Sequence, residues 1–147
     1  MKECPHCGSV LTKVRSLPDH RRFFGLIRAA FHHWPESHEF QPDNEEHLRA
    51  WLLCKSGYRD VVSIPIDGEH PAVARLACLA AESAIKAAKG HAFVRPYASG
   101  LAVISPRSIA FDTLSQKDFS PIRQAVEDVI TAETGMDCEN LLMEKAA

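Results

Sequence analysis

Ser115 to Gly135 reads SQKDFSPIRQAVEDVITAETG, and the rest of the chain takes its meaning from this stretch. Phe119, Ile122, Val126, Val129 and Ile130 recur at three- and four-residue intervals, the spacing that stacks side chains on one side of an α-helix. Lys117, Gln124, Glu127 and Asp128 fall into the expected polar face. Ser115 with acidic Asp118 three residues on resembles an N-terminal cap, although the capping box proper uses Glu or Gln there. Gly135 suits the turn that ends a helix. Beyond it, Asp137 is placed to cap a last short helix carrying Leu141 and Leu142.

Moving back from Ser115, Phe93–Val94, Leu101–Ile104 and Ser108–Phe111 read as short strands broken by Pro96, Gly100 and Pro106, as in a small antiparallel ribbon. Pro71 to Lys89 is rich in alanine and leucine and closes at Gly90; it predicts a helix packed closely against its neighbours. Tyr58 to Ile66, with Val61, Val62, Ile64 and Ile66, predicts a strand. Asp43-Asn44-Glu45-Glu46 opens a helix through Leu48, Trp51, Leu52 and Lys55, with Gly57 at its end. Pro18-Asp19 starts the first helix, in which Phe23, Phe24, Ile27, Ala30, Phe31 and Trp34 share one side until Pro35 stops the run. Trp34 and Trp51, on apolar sides, are expected in the core, and Tyr58 and Tyr97 nearer the surface. The expectation is one compact α+β domain over residues 18–147: four to five helices against a small antiparallel sheet, preceded by a cysteine-bearing extension over residues 1–17.

The composition agrees. With 147 residues the chain can bury one substantial core. Hydrophobic residues at 46% and charged residues at 24% exclude an intrinsically disordered chain. Lys and Arg total 17 against 19 Asp and Glu, for a formal charge of -2, so contact with a polyanion would need a local patch. No apolar run follows the N-terminus, and no stretch reaches membrane-spanning length. A cytoplasmic protein without membrane contact is expected. Five cysteines, an odd number set in mostly apolar surroundings, suit free buried thiols better than a disulfide framework.

Cys4-Pro-His-Cys7-Gly8 is half of a tetrahedral zinc site of the knuckle type. No second Cys-x-x-Cys exists to complete it, and His20 is the nearest further candidate ligand. Bound Zn2+, two unligated thiols in a turn, and a redox pair are the three readings this spacing allows. Arg21, Gly25, Arg28 and His32 line the polar side of the first helix, with Arg22 flanking. Guanidiniums suit phosphate, yet such a face is often only solvated. Eight histidines contain no HExxH or His-x-His, and adjacent His32 and His33 point about 100° apart on a helix, so surface or boundary positions are expected. The carboxylates sit where caps and turns also want them. No serine, cysteine or lysine has an evident base. The pattern leans away from an enzyme.

The segment His20-Arg21-Arg22-Phe23-Phe24-Gly25-Leu26-Ile27, continued by Ala30-Phe31-His32-His33-Trp34-Pro35-Glu36, resembles an uncharacterised family of phage and prophage proteins. Pro106 to Asp112, with Ser115, Phe119 and the helix through Ile130, matches the same pattern, and together the two cover about a third of the chain. The layout is also similar to phage recombination mediators of the NinB/Orf type. The resemblance implies a non-catalytic, dimeric accessory protein that binds single-stranded DNA, with Arg21, Arg22, Arg28 and Arg107 as phosphate contacts. The Cys4–Cys7 pair is not part of either pattern. A module binding a phage or host protein, or a metal-dependent nuclease-like enzyme, are the alternatives. An exposed apolar patch without converging basic groups would favour the protein-binding module.

Overall fold

A computed structural model describes residues 17–66, 71–110 and 114–146. Among them lie α1 (Leu17–His32), α2 (Glu45–Lys55), β1 (Arg59–Pro65), α3 (Pro71–Ala87), β2 (Phe93–Tyr97), β3 (Gly100–Pro106), α4 (Gln116–Thr134) and α5 (Cys138–Ala146). The architecture is the expected α+β arrangement: five helices and a three-stranded antiparallel sheet in the order β1-β3-β2. The Cys4–Cys7 extension lies outside the described residues.

The helix ends follow their local chemistry. Asn44, with extended backbone, accepts a hydrogen bond from the His47 N–H at 2.8 Å, so Asn44 rather than Asp43 caps α2. Gly57 takes φ +96°, a left-handed conformation that lets the chain turn from α2 straight into β1. Ser115 accepts from the Asp118 N–H at the start of α4, and Gly135 follows its end.

The core lies among helices α1, α2, α4 and α5. Phe23, Leu26, Ile27, Leu48, Leu52, Phe119, Val126, Ile130 and Leu141 are fully buried there. The Phe23 and Phe119 rings meet edge to face at 5.3 Å, a geometry that adds to simple burial. Trp34 and Trp51 are both buried, and the Trp34 indole N–H donates to the Phe40 carbonyl at 2.8 Å.

The sheet is attached to this core on one side. Opposed residues share a face, so the register places Val61, Phe93, Arg95, Ala102 and Ile104 on one face and Val62, Ile64, Val94, Leu101 and Val103 on the other. The Phe93 face meets α2, where the ring stacks on His47 at 5.8 Å. Val94 and Leu101 are buried on the opposite face, outside the main cluster, where α3 packs across β2 and β3. At Gly100 a Cβ would stand 2.2 Å from the Ile64 carbonyl oxygen, so only glycine lets β3 approach β1 this closely.

Four expectations are corrected. Helix α3 has the expected span but no buried side chain. Its inward row of Ala74, Ala77, Cys78, Ala81 and Ile85 is only half-buried, and no further layer among the described residues covers its outer surface. Glu127, expected on the polar face of α4, is buried at 8% exposure, because Arg22 and Arg123 meet it there. Residues 108–110 form no strand. Ile109 is buried instead, the Ala110 N–H turns back to Ser108 Oγ, and the Tyr58 hydroxyl donates to the Ser108 carbonyl. The proline breaks also move: Pro96 sits within edge strand β2, where a missing N–H is tolerated, and Pro106 ends β3.

Candidate nucleic-acid interface

The structure places the four arginines singled out by sequence in three different settings. Arg22 turns inward and bridges Glu127 of α4 and Glu139 of α5. Burial works against its charge, but the hydrogen bonds and charges of Glu139 and Glu127 outweigh it, so its pKa is held above the ordinary arginine value. Arg28 lies on the exposed side of α1, with Nε 3.1 Å and 3.3 Å from the two Glu45 carboxylate oxygens. Arg107, after β3, reaches Asp60 Oδ1 at 2.9 Å. Arg21 is exposed and makes no ion pair among the described residues. Arg21 and Arg28, two helical turns apart, share a side of α1; Arg22 and Arg107 do not join them.

The two kinds of pairing differ in strength. Arg28–Glu45 and Arg107–Asp60 are exposed on both sides, the type worth about 0–1 kcal/mol, so a phosphate can displace the carboxylate. Arg22 is committed, because its Glu127 partner is buried.

His20, the candidate third zinc ligand, is half-buried with its ring 4.7 Å from that of Phe24. Its proposed partners Cys4 and Cys7 lie outside the described residues, and no group of three or more His, Cys, Asp or Glu side chains able to hold a metal occurs among those described. Cys54 and Cys138 are buried free thiols, as expected. Burial pushes the Cys54 thiol up to about 11, with Arg59 opposing it, and burial likewise raises Cys138. His38 is structural: Nδ1 accepts from the Phe40 N–H at 3.0 Å, which leaves Nε2–H to donate to Glu133 at 2.6 Å.

What the sequence did not show is a cleft of about 540 Å³ at the outer edge of β2, between the start of α2 and the end of α3. It is lined by Glu82 and Lys86 of α3, Lys89 just beyond that helix, Arg95 of β2, Asp43, and Glu46 of α2. None of Lys86, Lys89 and Arg95 makes an ion pair among the described residues. Between the walls, His47 lies parallel to Phe93 (8° between planes) and stacks on His91 at 6.0 Å. The Asp43 N–H donates to His47 Nδ1 at 3.0 Å, so Nε2 carries the proton of the neutral ring. Burial lowers the His47 pKa; His91 and Lys86 add to the shift, and Asp43 opposes it.

The cleft thus sets cations that make no ion pair among the described residues beside carboxylates from both helices, Glu82 of α3 and Glu46 of α2, around rings stacked on one another. Lys86, Lys89 and Arg95 are groups able to pair with phosphate. Residues 43–47, 82–89 and 91–95 come together only through the fold; no spacing in the chain announces them.

The chain matches no protein-family model, no curated protein and no solved structure. No helix among the described residues is long and apolar enough to cross a membrane.

Proposed function

We propose that the protein is a nucleic-acid-binding accessory factor without chemistry of its own, of the phage recombination kind that the sequence resemblance implies, engaging single-stranded DNA at the β2 edge. One observation carries this reading: Lys86, Lys89 and Arg95, which make no ion pair among the described residues, line a cleft beside the His47, His91 and Phe93 rings. Arg21, and Arg28 and Arg107 once released from their exposed carboxylates, remain supplementary phosphate contacts. Arg22 is not proposed as one. Zn2+ at Cys4, Cys7 and His20 stays a separate proposal, tested by metal analysis of the purified full chain.

Binding of a labelled single-stranded oligonucleotide, measured against salt, tests the reading. Three phosphate contacts give a slope of log affinity on log salt of about -2. Charge reversal at Lys86, Lys89 and Arg95 together is expected to weaken binding by about a hundredfold or more and to flatten that slope, while Arg21→Ala/Arg28→Ala has the smaller effect. Absence of binding at low salt sinks the proposal.

A second reading, a protein-binding module, is supported by a different feature. Val61, Val62, Ile64, Val73, Leu76 and Leu79 are large apolar residues left exposed on β1 and α3.

A further inference from the structure

The fixed charges that line the cleft at the β2 edge cancel. Lys86, Lys89 and Arg95 stand against Asp43, Glu46 and Glu82, so with neutral histidines the lining carries no net charge. His47 and His91 are the remaining titratable groups of that lining. Each proton they take adds a positive charge where an anion enters. The sign of the cleft is therefore set by its histidines.

The two rings are held differently. His91 Nε2 lies 3.4 Å from Glu46 Oε2, so a carboxylate already faces that nitrogen with no ligand present. His47 Nδ1 instead accepts the Asp43 N–H at 3.0 Å. Its Nε2–H, the remaining donor of the neutral ring, has no hydrogen-bond partner among the described residues. The ring stands in the first turn of α2, where the helix dipole disfavours a cation. Burial first, and then His91 beyond α3 and Lys86 on it, hold the ring neutral against the pull of Asp43. Glu46, Glu82, Lys89 and Arg95 are the other charged groups around it among the described residues, and Glu45 turns to Arg28 instead. Asp43 provides for both states of the ring. Its N–H serves the neutral form, and its Oδ2 lies 3.6 Å from the same Nδ1, placed to take the proton of the charged form.

We infer that phosphate binding in this cleft is coupled to protonation of His47. As the anion meets Nε2–H beside Lys86, Lys89 and Arg95, Nδ1 takes a proton from solvent and exchanges the Asp43 N–H for the Asp43 carboxylate. The anion supplies negative charge against His91 and Lys86, the neighbours that oppose a charged ring. The inference rests on the reading of the cleft as a phosphate site. Its sign follows from linkage: a ring that holds its proton more tightly in the complex makes the complex tighter as pH falls. Lysine and arginine stay charged across this range and give no such control.

The test uses the full chain and two anions whose own charge is constant between about pH 5.5 and 8, sulfate and a labelled oligothymidylate, at fixed ionic strength. Saturating sulfate, against chloride of equal ionic strength, should raise the NMR titration midpoint of His47 by about one pH unit. Oligothymidylate affinity should rise about threefold from about pH 8 to about pH 6, and its binding heat should vary with the ionisation heat of the buffer, the mark of proton uptake. His47→Gln, checked for folding by circular dichroism, should show a flat profile at the weaker, alkaline affinity. His91→Gln should keep the rise, whatever its absolute affinity. The measurements on the unsubstituted chain decide the matter even where His47→Gln does not fold. A pH-independent affinity, or a rise that persists in His47→Gln, overturns the inference and leaves the nucleic-acid reading standing. A His47 midpoint that neither anion moves overturns it as well. Sulfate that lifts the midpoint while oligothymidylate fails to bind keeps the inference and sinks the nucleic-acid reading alone.

Discussion

The two halves of the molecule treat apolar surface in opposite ways. Helices α1, α2, α4 and α5 bury nine large side chains completely, whereas α3, a 17-residue helix of mostly alanine and leucine, buries none. Hydrophobicity alone does not separate them. The difference is what lies opposite: Phe23 meets Phe119 across the core, while Leu76 and Leu79 meet solvent at 67% and 60% exposure. One half holds the fold together and the other offers a surface.

The sharpest way to break this comparison is a pair of truncations. Phe119→Ala removes a fully buried ring and is expected to cost about 3–5 kcal/mol; Leu76→Ala should change monomer stability by no more than about 0.5 kcal/mol. Urea unfolding of both proteins checks it, and equal losses would mean that α3 is part of the core. A smaller contrast separates two partners of Arg22. Glu127→Ala leaves Arg22 and Arg123 without their buried carboxylate and should cost about 2–3 kcal/mol. Glu139, 68% exposed at its side chain, should cost under about 1 kcal/mol. Reversal of that order would assign the main role to α5.

The smallest effect expected is at the junction of the halves. Because the His47 pKa lies below its ordinary 6.5, the folded protein favours the neutral ring more than the unfolded chain does. Its contribution to stability is complete above about pH 6.5 and is lost as pH falls through the lowered value. NMR titration should give a His47 midpoint below that of a free histidine, and Lys86→Met should move it upward. A midpoint at or above 6.5 would contradict the burial of this ring in the cleft.

Local signals in the sequence were enough for the helices. Ser115, the stripe from Phe119 to Ile130 and Gly135 all act within α4, and each marks what it was read to mark. Signals that depend on distant partners were not legible. Glu127 looks like any acidic residue on a helix face until Arg22, 105 positions away, is placed beside it. The alanines of α3 predict a helix packed closely against its neighbours; the helix is there, but what covers it depends on distant segments that no local signal names. Ser108–Phe111 has the composition of a strand, but β3 already pairs with β1 on one side and β2 on the other, so the sheet offers this segment no central position. The arginines were visible as residue types, but their carboxylate partners were not.

The Arg22 bridge has a consequence for synthesis. The N-terminal helix finds the ring for Phe23 at Phe119 and the carboxylates for Arg22 at Glu127 and Glu139. Helix α2, the next in the chain, packs on α1, but the partners of Arg22 and Phe23 lie in α4 and α5, so this side of α1 is completed only after those later helices are made.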